Sequence, residues 1–240
     1  MTLSLEVLGD HGPVYGPPEG SDLPGVVILH GSEGPMAGWS HRCAAILAAH
    51  GFLALPWSYG EGDVWGAGAI RDVDIRGVEA AVAALSDHAR CGRSGIFGWS
   101  KGGELALLVA SLIGDASLLP CVAAHAASDH VRGAFDPLRF RSEGLVADTD
   151  PAGPRAWVWP GHEDRLTPGA PIEIERYRGA VFLSTGEADS VTDPANSHRL
   201  AARLAKAGRP ADVFFVPGQD HGYDFDTEPR LWTQLTACLL

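Results

Sequence analysis

The stretch Ser94-Gly95-Ile96-Phe97-Gly98-Trp99-Ser100-Lys101-Gly102-Gly103-Glu104-Leu105-Ala106-Leu107 decides how the rest of the chain is read. A short apolar run ends at Phe97, and a helical pattern runs from Lys101 to Ile113. Only the turn at Gly98 separates strand from helix, so the chain must bend sharply, and side chains at the flanking glycines would collide with both elements. Ser100 then stands on the bend with its Oγ exposed, and the helix N-terminus behind it favours developing negative charge. The bare pattern G-x-S-x-G is common; the strand before it and the helix after it distinguish it from a glycine-rich turn with an inert cap. A phosphate loop is excluded, because no glycine immediately precedes Lys101.

Working outward, Val26 to Leu29 is an apolar run of the kind buried on both faces of a parallel sheet. Trp39 to His50 reads as a helix closed by Gly51, and Phe52 to Leu55 as a strand stopped by Pro56. Asp72 to Ala89 reads as a long helix. Cys121 to His125, Val181 to Ser184 and Val213 to Val216 read as strands. Asp193-Pro194 opens a helix that ends at Gly208, and Pro229 to Leu239 makes the last one. Leu3 to Leu8 alternates weakly, as an edge strand does. Strand and helix therefore alternate at least four times, which predicts one α/β domain over residues 1–240 with a mostly parallel sheet and helices on both faces. Residues 126–179 break the rhythm with many prolines, two tryptophans and seven arginines. We expect an insertion with short elements of its own, lying over the sheet edge as a lid.

A serine hydroxyl needs a base, and a base needs an orienting acid. On a strand–turn–helix serine the chain order is serine, acid, histidine. His221, in Gly218-Gln219-Asp220-His221-Gly222 after the last strand, is the candidate base; His198 falls inside a helix, and His125 precedes any acid candidate. Asp189, in Gly186-Glu187-Ala188-Asp189, is the candidate acid, with Glu187 and Asp193 as fallbacks. Asp193 is also a helix cap, and Asp220 is constrained beside His221. An oxyanion site needs two backbone N–H groups. Lys101 would supply one, and the loop His30-Gly31-Ser32-Glu33-Gly34 the other, through Ser32 or alternatively Glu33. Trp99, Tyr59, Trp65 and Trp159 are candidates for an apolar substrate pocket, with Trp39 and Trp157 beside them; core packing is the alternative for each. His162-Glu163-Asp164 reads as a surface turn, since adjacent residues seldom converge on one metal ion. The chemistry calls for no metal and no cofactor.

The bulk properties bound the partners. The 240 residues are 45% hydrophobic and 20% charged with net charge −12, which disfavours nucleic acid. No apolar run approaches a membrane span, and Met1 to Asp10 lacks the basic start and apolar core of a signal peptide. Cys43, Cys91, Cys121 and Cys238 lack metal-ligand spacing and read mainly as small core residues. The expectation is a cytoplasmic monomer or homodimer acting on a small molecule.

Pro24 to Leu29 and Ala48 to Leu55 resemble the opening of the dienelactone-hydrolase-like enzymes of the α/β-hydrolase superfamily. Gly98 to Leu107, with Ile172 to Gly179 running into Val181 to Asp189, is similar to the catalytic domain of acyl-CoA thioesterases and bile-acid-CoA:amino acid N-acyltransferases. The resemblance spans about Pro24 to the C-terminus. It implies an α/β-hydrolase fold, a triad of Ser100, Asp189 and His221, and serine-hydrolase cleavage of a thioester or ester, acyl-CoA thioesterase-like first, with a dienelactone hydrolase, carboxylesterase or lactone/lactam hydrolase as the alternative; a hydrolase-fold ligand receptor is the non-enzyme alternative. The eukaryotic relatives carry an N-terminal β-sandwich for which this chain has no room, and the conjugating ones use cysteine where it has Ser100, so hydrolysis is expected over conjugation.

Overall fold

The computed structural model describes residues 2–35, 38–60, 69–143 and 149–239, with the side chains of 140, 141 and 143 left aside. Its strands are β1 (Ser4–Val7), β2 (Pro13–Gly16), β3 (Leu23–Leu29), β4 (Leu53–Trp57), β5 (Val73–Asp74), β6 (Cys91–Trp99), β7 (Cys121–His125), β8 (Trp157–Val158), β9 (Ala180–Gly186) and β10 (Asp212–Val216). Its helices are α1 (Trp39–Ala49), α2 (Arg76–Ser86), α3 (Lys101–Ile113), α4 (Pro137–Glu143), α5 (Ala195–Lys206) and α6 (Glu228–Leu239). Eight strands form one sheet in the order β1-β2-β4-β3-β6-β7-β9-β10. β1 and β2 are antiparallel to their neighbours, and every other pairing is parallel. This is the α/β-hydrolase fold.

The central strands are apolar on both sides because both faces are covered. Val27, Leu29, Ile96 and Val122 face a core built with α2, α3 and α5. Val26, Ile28, Phe97 and Phe182 face a second core built with α1 and α6. The chain leaves β3 through α1 toward β4 on one side, and leaves β6 through α3 toward β7 on the other. The strand order thus reverses between β3 and β6, and a crevice opens beyond their C-terminal ends, where ligands bind in open α/β sheets. Ser100 directly follows β6 and the loop of residues 30–34 directly follows β3, so topology brings them together.

Several boundaries differ from the sequence expectation. Pro56 does not stop its strand; β4 runs through it to Trp57. Its pairing with β2 is one residue pair, Tyr15 with Ala54, so beyond Ala54 the strand has a ladder on one side only, where a missing N–H is tolerated. The helix expected from Asp72 starts at Arg76, because Val73 and Asp74 pair with Trp157 and Val158 as a two-stranded ribbon. β2, with proline and glycine at its ends, carries no strand signature and was not anticipated.

Within residues 126–179, Ala156, Trp157, Leu166, Ile172, Ile174 and Tyr177 are fully buried in the core shared with α3. The segment is fastened to α3 by polar contacts as well. Lys101 Nζ donates to Glu104 and to the carbonyls of Arg132 and Gly133, while Glu104 Oε1 accepts from Trp157 Nε1 at 2.7 Å and from the Arg132 N–H at 3.0 Å. Both side chains of the Lys101–Glu104 ion pair are buried.

Candidate active site

The bend at Ser100 is as tight as its glycines suggest. Ser100 has φ +53° and ψ −117°, a backbone conformation that costs a non-glycine residue strain and that a nucleophile elbow imposes. A Cβ on Gly98 would stand 2.0 Å from the Gly102 carbonyl oxygen, and one on Gly102 would stand 2.3 Å from the carbonyl oxygens of both Leu29 and His30. The two glycines are therefore the space in which α3 leaves β6 beside β3.

His221 and Asp189 meet across 32 residues. The Nδ1–H of His221 donates to Asp189 Oδ2 at 2.9 Å, with Oδ1 at 3.1 Å. The Asp189 side chain is fully shielded, and its Oδ1 also accepts the N–H groups of Val191 and Thr192 at 2.8 Å. Burial alone would push this carboxyl up, but the hydrogen bonds from His221 and from those two N–H groups outweigh it and hold it below the usual carboxylate range. An ionised acid therefore fixes the histidine tautomer that leaves Nε2 free to accept a proton. Of the other acids, Asp193 binds the Ala195 N–H in the turn before α5, Asp220 binds the N–H groups of Ser190 and His221, and Glu187 stands 3.5 Å from His198. Ser100 and His221 share no direct hydrogen bond among the described residues. They are linked through His125, which accepts the Ser100 N–H on its carbonyl at 2.8 Å and reaches the His221 carbonyl with its ring at 3.0 Å.

The loop after β3 closes over the same point. A Cβ on Gly31 would lie 3.3 Å from Ser100 Cβ. His30 braces the loop: its ring nitrogens contact the carbonyls of Gly31 and Tyr59 at 2.8 and 3.0 Å. The Gly31 N–H is taken by Glu33 Oε1 at 2.8 Å. Lys101 opens the first turn of α3, where backbone N–H groups point out of the helix.

A cavity of about 570 Å³ opens beside His221, lined by Glu33, Trp39, Arg42, Trp99, Tyr223 and Glu228 among others. Trp39 and Trp99 meet edge to face at 4.6 Å. Arg42 forks onto both carboxylate oxygens of Glu228, so its charge is spent within the cavity wall. Burial pushes the Glu33 carboxyl above its ordinary range despite the N–H groups and His221 nearby. Tyr59 is instead buried, stacked on His30 and edge-on to Trp157, and Trp159 sits against His162; neither lines this cavity. Trp65 lies outside the described residues. Trp39 and Trp99, both pocket candidates in the sequence, line the cavity; the Arg42–Glu228 pair carries no sequence signal, because only the approach of α1 to α6 brings it to the site.

Residues 63–237, well over half of the chain, match the prolyl oligopeptidase family. The chain belongs to that family. It is accordingly a serine hydrolase. No curated protein sequence matches it. Among solved structures it resembles a protein described as a dienelactone hydrolase from Klebsiella pneumoniae, with TM-score 0.67 and 16% identity over 99% of this chain and 98% of that one. It resembles an esterase of Pyrobaculum calidifontis, with TM-score 0.65 and 18% identity over 99% and 85% of the two chains. It also resembles a puromycin-hydrolyzing peptidase of Mycobacterium tuberculosis, with TM-score 0.65 and 22% identity, spanning 99% of this chain but 38% of that one. Identities this low establish the shared fold alone. No helix among the described residues is long and apolar enough to cross a membrane.

Proposed function

We propose that this member of the prolyl oligopeptidase family hydrolyses small carboxylic esters through an acyl-enzyme on Ser100, with Asp189 and His221 completing the triad. The observation that carries the reading is the buried, ionised Asp189 holding the Nδ1–H of His221 on the loop that His125 ties to Ser100. His221 takes the Ser100 proton as Oγ attacks the carbonyl carbon. The N–H groups of Lys101 and Ser32 receive the oxyanion. His221 returns the proton to the leaving oxygen, and water repeats the sequence on the acyl-enzyme.

The acyl-CoA thioesterase reading is the finer alternative. The cavity speaks for a neutral leaving group instead: Glu33 and Glu228 line it, Arg42 is already paired, and the chain carries −12 overall. The insertion over residues 126–179 is part of the same proposal. Anchored to α3 by Lys101 and Glu104, its outer part would flank the crevice as a lid.

Replacing Ser100 with alanine should abolish turnover of p-nitrophenyl acetate and labelling by a fluorophosphonate; undiminished hydrolysis would sink the assignment. A panel of acyl-CoAs, p-nitrophenyl esters and lactones, compared by kcat/KM, separates the ester reading from its rivals.

A further inference from the structure

We propose that His125 is a positioning residue that holds the base loop in register with the nucleophile bend; this rests on the triad reading above. His125 ends β7 and is fully buried. Its main chain and its ring serve two different loops. The carbonyl accepts the Ser100 N–H at 2.8 Å, and the ring Nε2 lies 3.0 Å from the carbonyl oxygen of His221, 96 residues further on. A carbonyl can only accept, so Nε2 carries the proton. Nδ1 then bears a lone pair, and the buried Ser184 hydroxyl on β9, 2.8 Å away, donates to it. The ring is pinned between Trp99, at a centroid distance of 3.7 Å, and Tyr223, edge-on at 4.8 Å. Burial keeps it neutral, pressing its pKa down to about 3.

A buried histidine with satisfied hydrogen bonds is ordinary core furniture. What sets His125 apart is where its partners lie. One hydrogen bond fixes the backbone of Ser100, another fixes the backbone of His221, and the stacked indole belongs to the residue preceding Ser100. Two hydrogen bonds and one ring contact thus join the two loops directly, in place of the long chain path through β9, α5 and β10. Small misplacements of reacting groups cost rate far more than affinity.

His125→Phe keeps the stacking on Trp99 and removes the donor, whereas His125→Gln retains an N–H able to reach the His221 carbonyl. With p-nitrophenyl acetate, and kcat expressed per fluorophosphonate-titrated site, His125→Phe should lower kcat about ten- to a hundredfold while KM stays within about twofold. His125→Gln should stay within about threefold of wild type, because the donor survives. A folded His125→Phe protein with wild-type kcat per site, or a His125→Gln protein as impaired as it, overturns the proposal. Should His125→Phe not fold, Ser184→Ala decides, since it frees the ring to adopt the other tautomer: a fall in kcat at constant KM is expected, and an unchanged kcat overturns the proposal. Ser100→Ala is run alongside. Retained turnover there refutes the nucleophile assignment, while a dead Ser100→Ala with an unimpaired His125→Phe refutes only the role of His125.

Discussion

Asp189 shows how one side chain can be set for its task by local geometry. It accepts two N–H groups from its own loop and one from His221, and has no exposed surface through which water could compete. Asp189→Asn preserves the shape but reverses the hydrogen-bonding sense toward His221. We expect kcat to fall by about three to four orders of magnitude with little change in Tm, measured by steady-state kinetics and thermal melting. Burial makes His125 much harder to protonate than an exposed histidine. Its folded pKa lies well below the unfolded value of 6.5, so the unfolded chain binds the proton more tightly. Its contribution to stability is complete above about pH 6.5 and is lost as pH falls toward about 3. The unfolding free energy of wild type, read from denaturant titration, should therefore fall more steeply than that of His125→Gln from about pH 6.5 to 4.

At the scale of elements, the join between β6 and α3 is the least tolerant part of the fold. Gly102→Ala places a methyl 2.3 Å from two carbonyl oxygens on β3 and its following loop; backbone cannot yield there, and we expect loss of folded protein on expression. Gly222 has open space around its Cβ direction, so Gly222→Ala should leave Tm within a few degrees of wild type. Lys101 and Glu104 fasten Arg132, Gly133 and Trp157 to α3. Lys101→Met would strand a fully buried carboxylate, at a cost of about 3–5 kcal/mol, read from urea unfolding. The exposed Arg76–Asp74 pair at the start of α2 is solvated on both sides, and its removal should leave the urea midpoint nearly unchanged. G-x-S-x-G predicts the bend from sequence because its steric demand is local. The missed strand β2 and the shortened α2 depend on partners that arrive from elsewhere, Ala54 in one case and Trp157 in the other.

Over the whole molecule, the charge of −12 acts on substrates before contact. Raising salt from about 20 to 200 mM shortens the Debye length to under about 10 Å. We expect that change to raise kcat/KM for an acyl-CoA relative to a neutral ester, since repulsion of the anionic substrate is screened; an equal response of both substrates would show that the field does not discriminate between them.

The amino-acid sequence by itself determined the alternation of strands and helices, the bend at Ser100, and the order in which serine, acid and histidine follow one another. Those features rest on interactions within a few residues or on periodicity along one element. Only the tertiary structure decided which surfaces face the site. The reversal of strand order between β3 and β6 set the crevice, the approach of α1 to α6 made Trp39 and the Arg42–Glu228 pair its walls, and burial removed Tyr59 from it. His125 drew little notice in the sequence because it precedes every acid candidate. Its place between Ser100 and His221 depends on strand neighbours brought together by the fold, which no local spacing encodes.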